Sequence, residues 1–191
     1  MTGRTHDLAA FTALNLAFVS TGLPEMSLAT AFVAFTANMI GGLAPDIDQS
    51  TASIYEKVRG GDFLRKLVSP LFGGHRFISH SIIGVILAGF ILDFFLGIIG
   101  RVLLVDMEIV WWAFMLGFVS HLFVDMFTRD GIPLFFPLPW KFGIPPVRAL
   151  RLKTGGIFEK SLIFPGLLLI NTFLIYTNYD KYLEFLRYYI K

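Results

Sequence analysis

The stretch IVWWAFMLGFVSHLFVD, residues 109–125, runs sixteen positions without a charged side chain other than a titratable histidine and then ends on an aspartate. A run of that length is too long for a buried strand and approaches the ~20 residues with which a helix crosses a hydrocarbon core. On such a helix His121 and Asp125 are spaced i, i+4, so they project from one face at one end. The rest of the chain is read outward from this unit, a membrane helix with a His/Asp pair at its end.

Composition extends the membrane reading to the whole chain. Hydrophobic residues make up 55% and charged residues 16% of the 191 positions, and 21 residues are Phe. An ordinary soluble domain carries roughly 25% charged residues, so this chain lacks the polar surface a soluble fold needs. Mean hydropathy is +0.68. The formal net charge of +2 gives no electrostatic footprint for nucleic acid, and none is expected as a partner. With no cysteine, there is no disulfide framework, thiolate metal site or thiol nucleophile, so any metal must be held by nitrogen and oxygen. The first apolar stretch contains Asn15 and is followed by Leu23-Pro24-Glu25, which is not a small-residue cleavage site; it is expected to remain as a membrane helix.

Five apolar spans follow along the chain, at 8–23, 28–43, 81–105, 109–124 and 162–177. They predict an all-α integral membrane protein of four to five transmembrane helices, organised as a single multi-pass membrane domain over residues 1–191. Asp93 and Arg101 interrupt the third span and stand eight residues apart, two helical turns. The polar segments 44–80 and 126–161 hold 11 of the 16 basic residues, whereas the connection 24–27 has none. The positive-inside rule therefore places both long segments, and the N-terminus with them, on the cytoplasmic side. By the same count the C-terminal tail falls on the other side, where Tyr179, Tyr182, Leu183, Leu186 and Tyr189 recur at helical spacing and suit a surface-lying helix.

Helix parity then gathers the polar clusters. His6 precedes the first span, Asp46 and Asp48 end the second, His75 and His80 precede the third, and His121 with Asp125 ends the fourth. Alternating crossings bring all of these ends to one membrane face, whichever side that face is on. Taken singly, each has a plainer reading: Thr5-His6-Asp7 as a helix cap, Pro45-Asp46-Ile47-Asp48 as a turn, His75 as a loop residue, and His121 with Asp125 as a hydrogen-bonded pair. Four such clusters on one face point instead to a centre for a divalent ion, because imidazole and carboxylate together suit zinc and its neighbours.

The set Gly3-Arg4-Thr5-His6, Pro45-Asp46-Ile47-Asp48, His75-Arg76-x-x-Ser79-His80-Ser81 and Gly117-x-x-Ser120-His121-x-x-x-Asp125 resembles the YdjM-type proteins, as does Thr128-Arg129-Asp130-Gly131-Ile132-Pro133-Leu134. These are described as LexA-regulated inner-membrane metal-dependent hydrolases. A more distant likeness is to the zinc-dependent phospholipase C and single-strand nuclease families, which cleave phosphate esters at clustered zinc ions. The resemblance implies His6, Asp46 or Asp48, His75 or His80, His121 and Asp125 as metal ligands. Those families supply further histidines after this point, and here none follows His121, so one or two ions are expected rather than three.

The function expected is a hydrolase of the cytoplasmic membrane acting on a phospholipid or lipid-linked phosphoester at the bilayer surface, with the metal face cytoplasmic. Asp48 (or Asp7) is the candidate proton acceptor, and Arg76 the candidate phosphate partner or, equally, a positive-inside anchor. No His-Glu-x-x-His or Gly-x-Ser-x-Gly motif occurs. The alternative is a non-enzymatic membrane protein, either a metal or proton transporter or a structural factor. A transporter requires polar residues at mid-membrane depth, for which Asn15, Asn38 and Asp93 are the candidates.

Overall fold

The computed structural model describes residues 1–21, 26–48, 78–100 and 104–190, with the backbone only at 47, 48, 189 and 190. The described chain is helical: α1 (Gly3–Ser20), α2 (Leu28–Leu43), a 3₁₀ turn (Ala44–Asp48), α3 (Ile82–Ile99) and α4 (Met107–Met126). A long connection then leads to a π-helical turn (Glu159–Ile163), α5 (Phe164–Thr177) and α6 (Tyr179–Ile190). No strand forms among the described residues; two isolated β-bridges, Thr128 with Leu152 and Ile132 with Phe142, brace the connection. Arg101 lies outside the described residues.

Among the described residues four stretches are long and apolar enough to cross a membrane: Leu28–Asp46, Ile82–Ile99, Met107–Met126 and Glu159–Thr177; α1, which covers the expected first span, is not one of them. Their starts are set by local chemistry. Ser27 Oγ accepts from Thr30 N at 3.0 Å, Ser81 Oγ from Gly84 N at 3.1 Å, and an Asp106 carboxylate oxygen from Glu108 N at 3.0 Å and Ile109 N at 3.2 Å. Each satisfies a helix N–H that no carbonyl can reach. In lipid that satisfaction is obligatory. The outward side chains of α3 confirm the solvent: Phe90 is 72% exposed and Phe94 66%.

At the centre, α4 packs on α2 and α1. The α2–α4 seam is made of small residues, since a Cβ on Gly41 would stand 2.1 Å from Phe114 O and one on Gly117 2.2 Å from Asn38 O. Without a hydrophobic drive between helices in lipid, this backbone approach supplies the packing. The asparagines at mid-depth are spent on helix–helix bonds, whereas Asp93 lies exposed on α3. Asn38 Nδ2 donates to Ala113 O at 2.9 Å, Asn15 Nδ2 to Asn171 Oδ1 at 2.7 Å, and Asn171 Nδ2 to Thr12 Oγ1 at 2.7 Å. The Asn15 and Asn38 expected of a transporter therefore serve as glue between α1 and α5 and between α2 and α4.

Gly117→Leu is expected to unseat α4 from α2, at a cost of at least ~3 kcal/mol from overpacking against backbone. A Cβ on Gly97 has nothing within 4 Å, so Gly97→Ala should be neutral or stabilising by ~0.5–1 kcal/mol. Thermal unfolding of both variants in detergent checks the contrast; equal stability would mean the seam is not close-packed.

Candidate metal centre

The connection between helix ends and chemistry starts at α4. His121 and Asp125, one turn apart, are both fully buried. His121 Nδ1 donates to Gly42 O at 2.7 Å, which turns Nε2 toward the other histidines and carboxylates. That carbonyl is within reach because Gly41 and Gly117 let α2 and α4 approach. His80 enters from the turn before α3, where the Ser81 cap fixes its position. Its Nδ1 lies 2.9 Å from Ser79 Oγ, and its Nε2 faces the same point as that of His121. His6 arrives from the first turns of α1, and its ring stacks on that of His121 with centroids 3.6 Å apart and planes 9° from parallel. Asp46 sits on the 3₁₀ turn after α2 and is the one partly open member, its side chain 15% exposed.

The donor atoms surround a common point. His80 Nε2 lies 3.7 Å from Asp46 Oδ1 and 3.7 Å from Asp125 Oδ2; His121 Nε2 lies 3.6 Å and 3.8 Å from the same two oxygens. His6 Nε2 is 3.3 Å from the other Asp125 oxygen. A tetrahedral ion with bonds of ~2.0–2.2 Å requires donor–donor edges of roughly 3.4 Å, close to these separations. Two triplets have donor atoms within 4.8 Å of one another, His6/Asp46/His121 and His80/His121/Asp125, and His121 belongs to both.

The residues fit such an ion on a further ground. His80 Nε2, His121 Nε2 and both nitrogens of His6 are buried with no hydrogen-bond partner among the described residues. Buried polar atoms left in that condition are costly, and a cation answers all of them at once. Burial holds His80 below its ordinary pKa, with His121 adding to the effect and the Asp125 and Asp46 carboxylates opposing it. Burial thus favours the neutral form of His80, the form that ligates.

Two participants are not among the residues picked out from the sequence. The Met1 α-ammonium is hydrogen bonded to Asp125 Oδ1. Glu159, fully buried at the start of the last span, accepts from Thr2 N, Thr2 Oγ1 and Thr5 Oγ1, each at 2.7 Å, and from Gly155 N at 2.7 Å. It anchors the N-terminal turn of α1 and so fixes His6 one residue on. Thr2 is the N-cap of α1, with no side-chain cap bond, and the Thr5 hydroxyl is turned to Glu159. The reading of Thr5-His6-Asp7 as a cap is thus not what the structure uses. A lone carboxylate beside Gly155-Gly156, at the start of an apolar run, was the available signal.

Of the predicted ligands, His6, Asp46, His80, His121 and Asp125 are brought together. His75 and Arg76 lie outside the described residues. Asp48 ends the 3₁₀ turn, and its side chain also lies outside them.

Comparison with known proteins agrees with this architecture. The family model described as YdjM inner membrane protein matches residues 1–182. The chain is 30% identical over 176 residues to the protein YvsG of Bacillus subtilis (strain 168), covering 92% of this chain and 95% of that one. It is 33% identical over 106 residues to the inner membrane protein YdjM of Escherichia coli (strain K12), covering 54% of this chain and 48% of that one. The same identity and coverage hold for inner membrane protein YdjM of Shigella flexneri. No solved structure matches the chain.

Proposed function

The chain belongs to the YdjM family of inner membrane proteins, and on that premise we propose that it is a membrane-bound, metal-dependent hydrolase of a lipid-linked phosphoester. The observation that carries the proposal is the group of three buried imidazoles and two carboxylates whose donor atoms converge while several imidazole nitrogens lack a partner. Nitrogen and oxygen donors at these separations suit zinc, as one ion or two. When bound, a divalent ion supplies acidification of a water toward pKa ~7 and polarisation of the scissile phosphoryl group.

The protein's own part is positioning. Gly42 O sets which nitrogen of His121 carries a proton toward it, Ser79 Oγ orients the His80 ring, and Glu159 holds the turn that carries His6. Such supporting bonds keep ligand rings oriented and basic. Asp46, at the open edge of the cluster, leaves a direction from which substrate and water approach. In this reading water oxygen adds to phosphorus as the bond to the leaving oxygen breaks, Asp48 accepts the water proton and returns it to the leaving oxygen to release the alcohol, and Arg76 pairs with a phosphate oxygen. The basic residues of the flanking segments support a cytoplasmic orientation for the centre.

The test is metal analysis of purified protein followed by assay on phospholipids and on a simple phosphodiester. Stoichiometric zinc with phosphate-ester cleavage that disappears in Asp46→Ala is the expected result. Stoichiometric metal without turnover on any ester would favour the non-enzymatic alternative, and no metal at all would remove the basis for both metal-dependent readings.

A further inference from the structure

The connection between α4 and the π-helical turn, residues 127–158, is folded but turned outward. It is tied to the end of α4 by Ile144 N to Met126 O at 2.8 Å, and braced within itself by Leu152 N to Phe127 O at 3.0 Å and the reciprocal pair Ile132 with Phe142 at 2.9 and 2.8 Å. Leu134 O also accepts from Ile82 N at 3.0 Å, so the segment lies across the starts and ends of α3 and α4, on the face that holds the His/Asp centre. Only Ile132 among its apolar residues is fully buried. Trp140 is 67% exposed, Leu150 70%, Ile157 81% and Phe158 67%.

A loop held in place by this many backbone bonds, yet displaying large apolar side chains, is not arranged for water. Its charge identifies what it meets. Between 127 and 158 there are five basic residues and one acidic residue, Asp130. Arg151 turns inward to Pro145 O and Pro146 O, at 2.7 and 2.9 Å, which leaves Arg129, Lys141, Arg148 and Lys153 exposed among the apolar groups, with Arg148 also donating to Arg129 O at 3.2 Å and reaching Asp130 at 3.5 Å. A second copy of the same surface would set like charges together. Apolar side chains at membrane depth with lysine and arginine between them match an anionic leaflet, where acyl chains receive the first and headgroup phosphates the second.

We propose that residues 127–158 form an in-plane collar that binds anionic phospholipid on the same membrane face as the His/Asp centre. This stands on the membrane fold and the charge pattern, independently of whether the centre hydrolyses anything.

The absence of cysteine makes the test direct. A nitroxide on Leu150→Cys, in protein reconstituted into phosphatidylcholine vesicles with or without one-third phosphatidylglycerol, is probed with oxygen and with a water-soluble nickel chelate. Trp140 quenching by brominated phosphatidylglycerol is compared with that by brominated phosphatidylcholine, in the native chain and in a chain carrying Lys141→Glu, Arg148→Glu and Lys153→Glu. The expected result is a nitroxide reached by oxygen and shielded from nickel, and a preference for the anionic lipid of about fivefold per basic residue that the triple variant loses. A nitroxide open to nickel in both vesicles overturns the collar. So does one shielded from both reagents, which would mean a protein partner covers the site. Equal quenching by the two lipids in the native chain overturns the anionic preference. Metal content serves as the independent readout of the centre, and the triple variant should keep it unchanged.

Discussion

His121→Ala is expected to yield protein that retains no stoichiometric divalent metal, in contrast to the native chain. The reason is that His121 is shared: its Nε2 faces both Asp46 and Asp125, and it belongs to both possible ligand triplets. Removing any other imidazole leaves one triplet intact, whereas removing this one breaks both. Zinc held by several protein ligands in small folded sites is bound by ~10–16 kcal/mol at pH 7, so loss of one donor in three or four removes several kcal/mol. At ~1.4 kcal/mol per tenfold, affinity falls by on the order of 10³-fold or more. His80→Ala or His6→Ala should retain some metal at reduced affinity. Metal analysis after purification without chelator, repeated after reloading with zinc and desalting, gives the measurement. Retention of native metal content by His121→Ala would show that the ion, if any, sits elsewhere. Helicity and melting are measured in parallel, because the His121 ring also packs on His6.

The same geometry shows why so much of the centre was legible in the sequence, and where legibility ended. In lipid the helix is nearly the only option for an apolar run, so the spans at 28–43 and 109–124 reappear as α2 and α4 with at most two residues of change at either end. Parity of crossings then placed His6, Asp46, His80, His121 and Asp125 together without any tertiary information. The choice between His75 and His80 was open because both flank the same helix start; the Ser81 cap brings His80 into the cluster, and His75 lies outside the described residues. Between Asp46 and Asp48, the 3₁₀ turn brings Asp46 into the cluster, and the Asp48 side chain lies outside the described residues. Glu159 and Met1 were missed for a different reason. They act through contacts 154 and 124 residues away in the chain, and no periodicity reports on pairs so distant. Asn15 was open in kind, since a polar residue at mid-depth has the same sequence signature whether it lines a path or bonds a neighbouring helix such as α5.

Stripping the metal should destabilise the native protein and leave His121→Ala unaffected. Any ligand bound only by the folded state adds RT ln(1 + [L]/Kd), about 4 kcal/mol when free metal stands at a thousand times Kd. For a chain of this length each kcal/mol moves the melting temperature by roughly 2–4 °C, so chelation should lower it by about 10 °C. The structure adds a reason for the loss to be felt widely. The cluster joins elements from four places in the chain, namely the start of α1, the turn after α2, the turn before α3 and the end of α4. Without a cation, the unpartnered nitrogens of His6, His80 and His121 stay buried among Asp46 and Asp125, and the relief open to them is for these helix ends to part and admit water. Melting is followed in detergent with excess zinc and with excess chelator. Two outcomes count against the centre: no shift in the native chain, or an equal shift in native and His121→Ala, which would trace the effect to metal bound outside the cluster. A shift confined to the native chain would tie folding energy to the donor atoms that parity placed on one face.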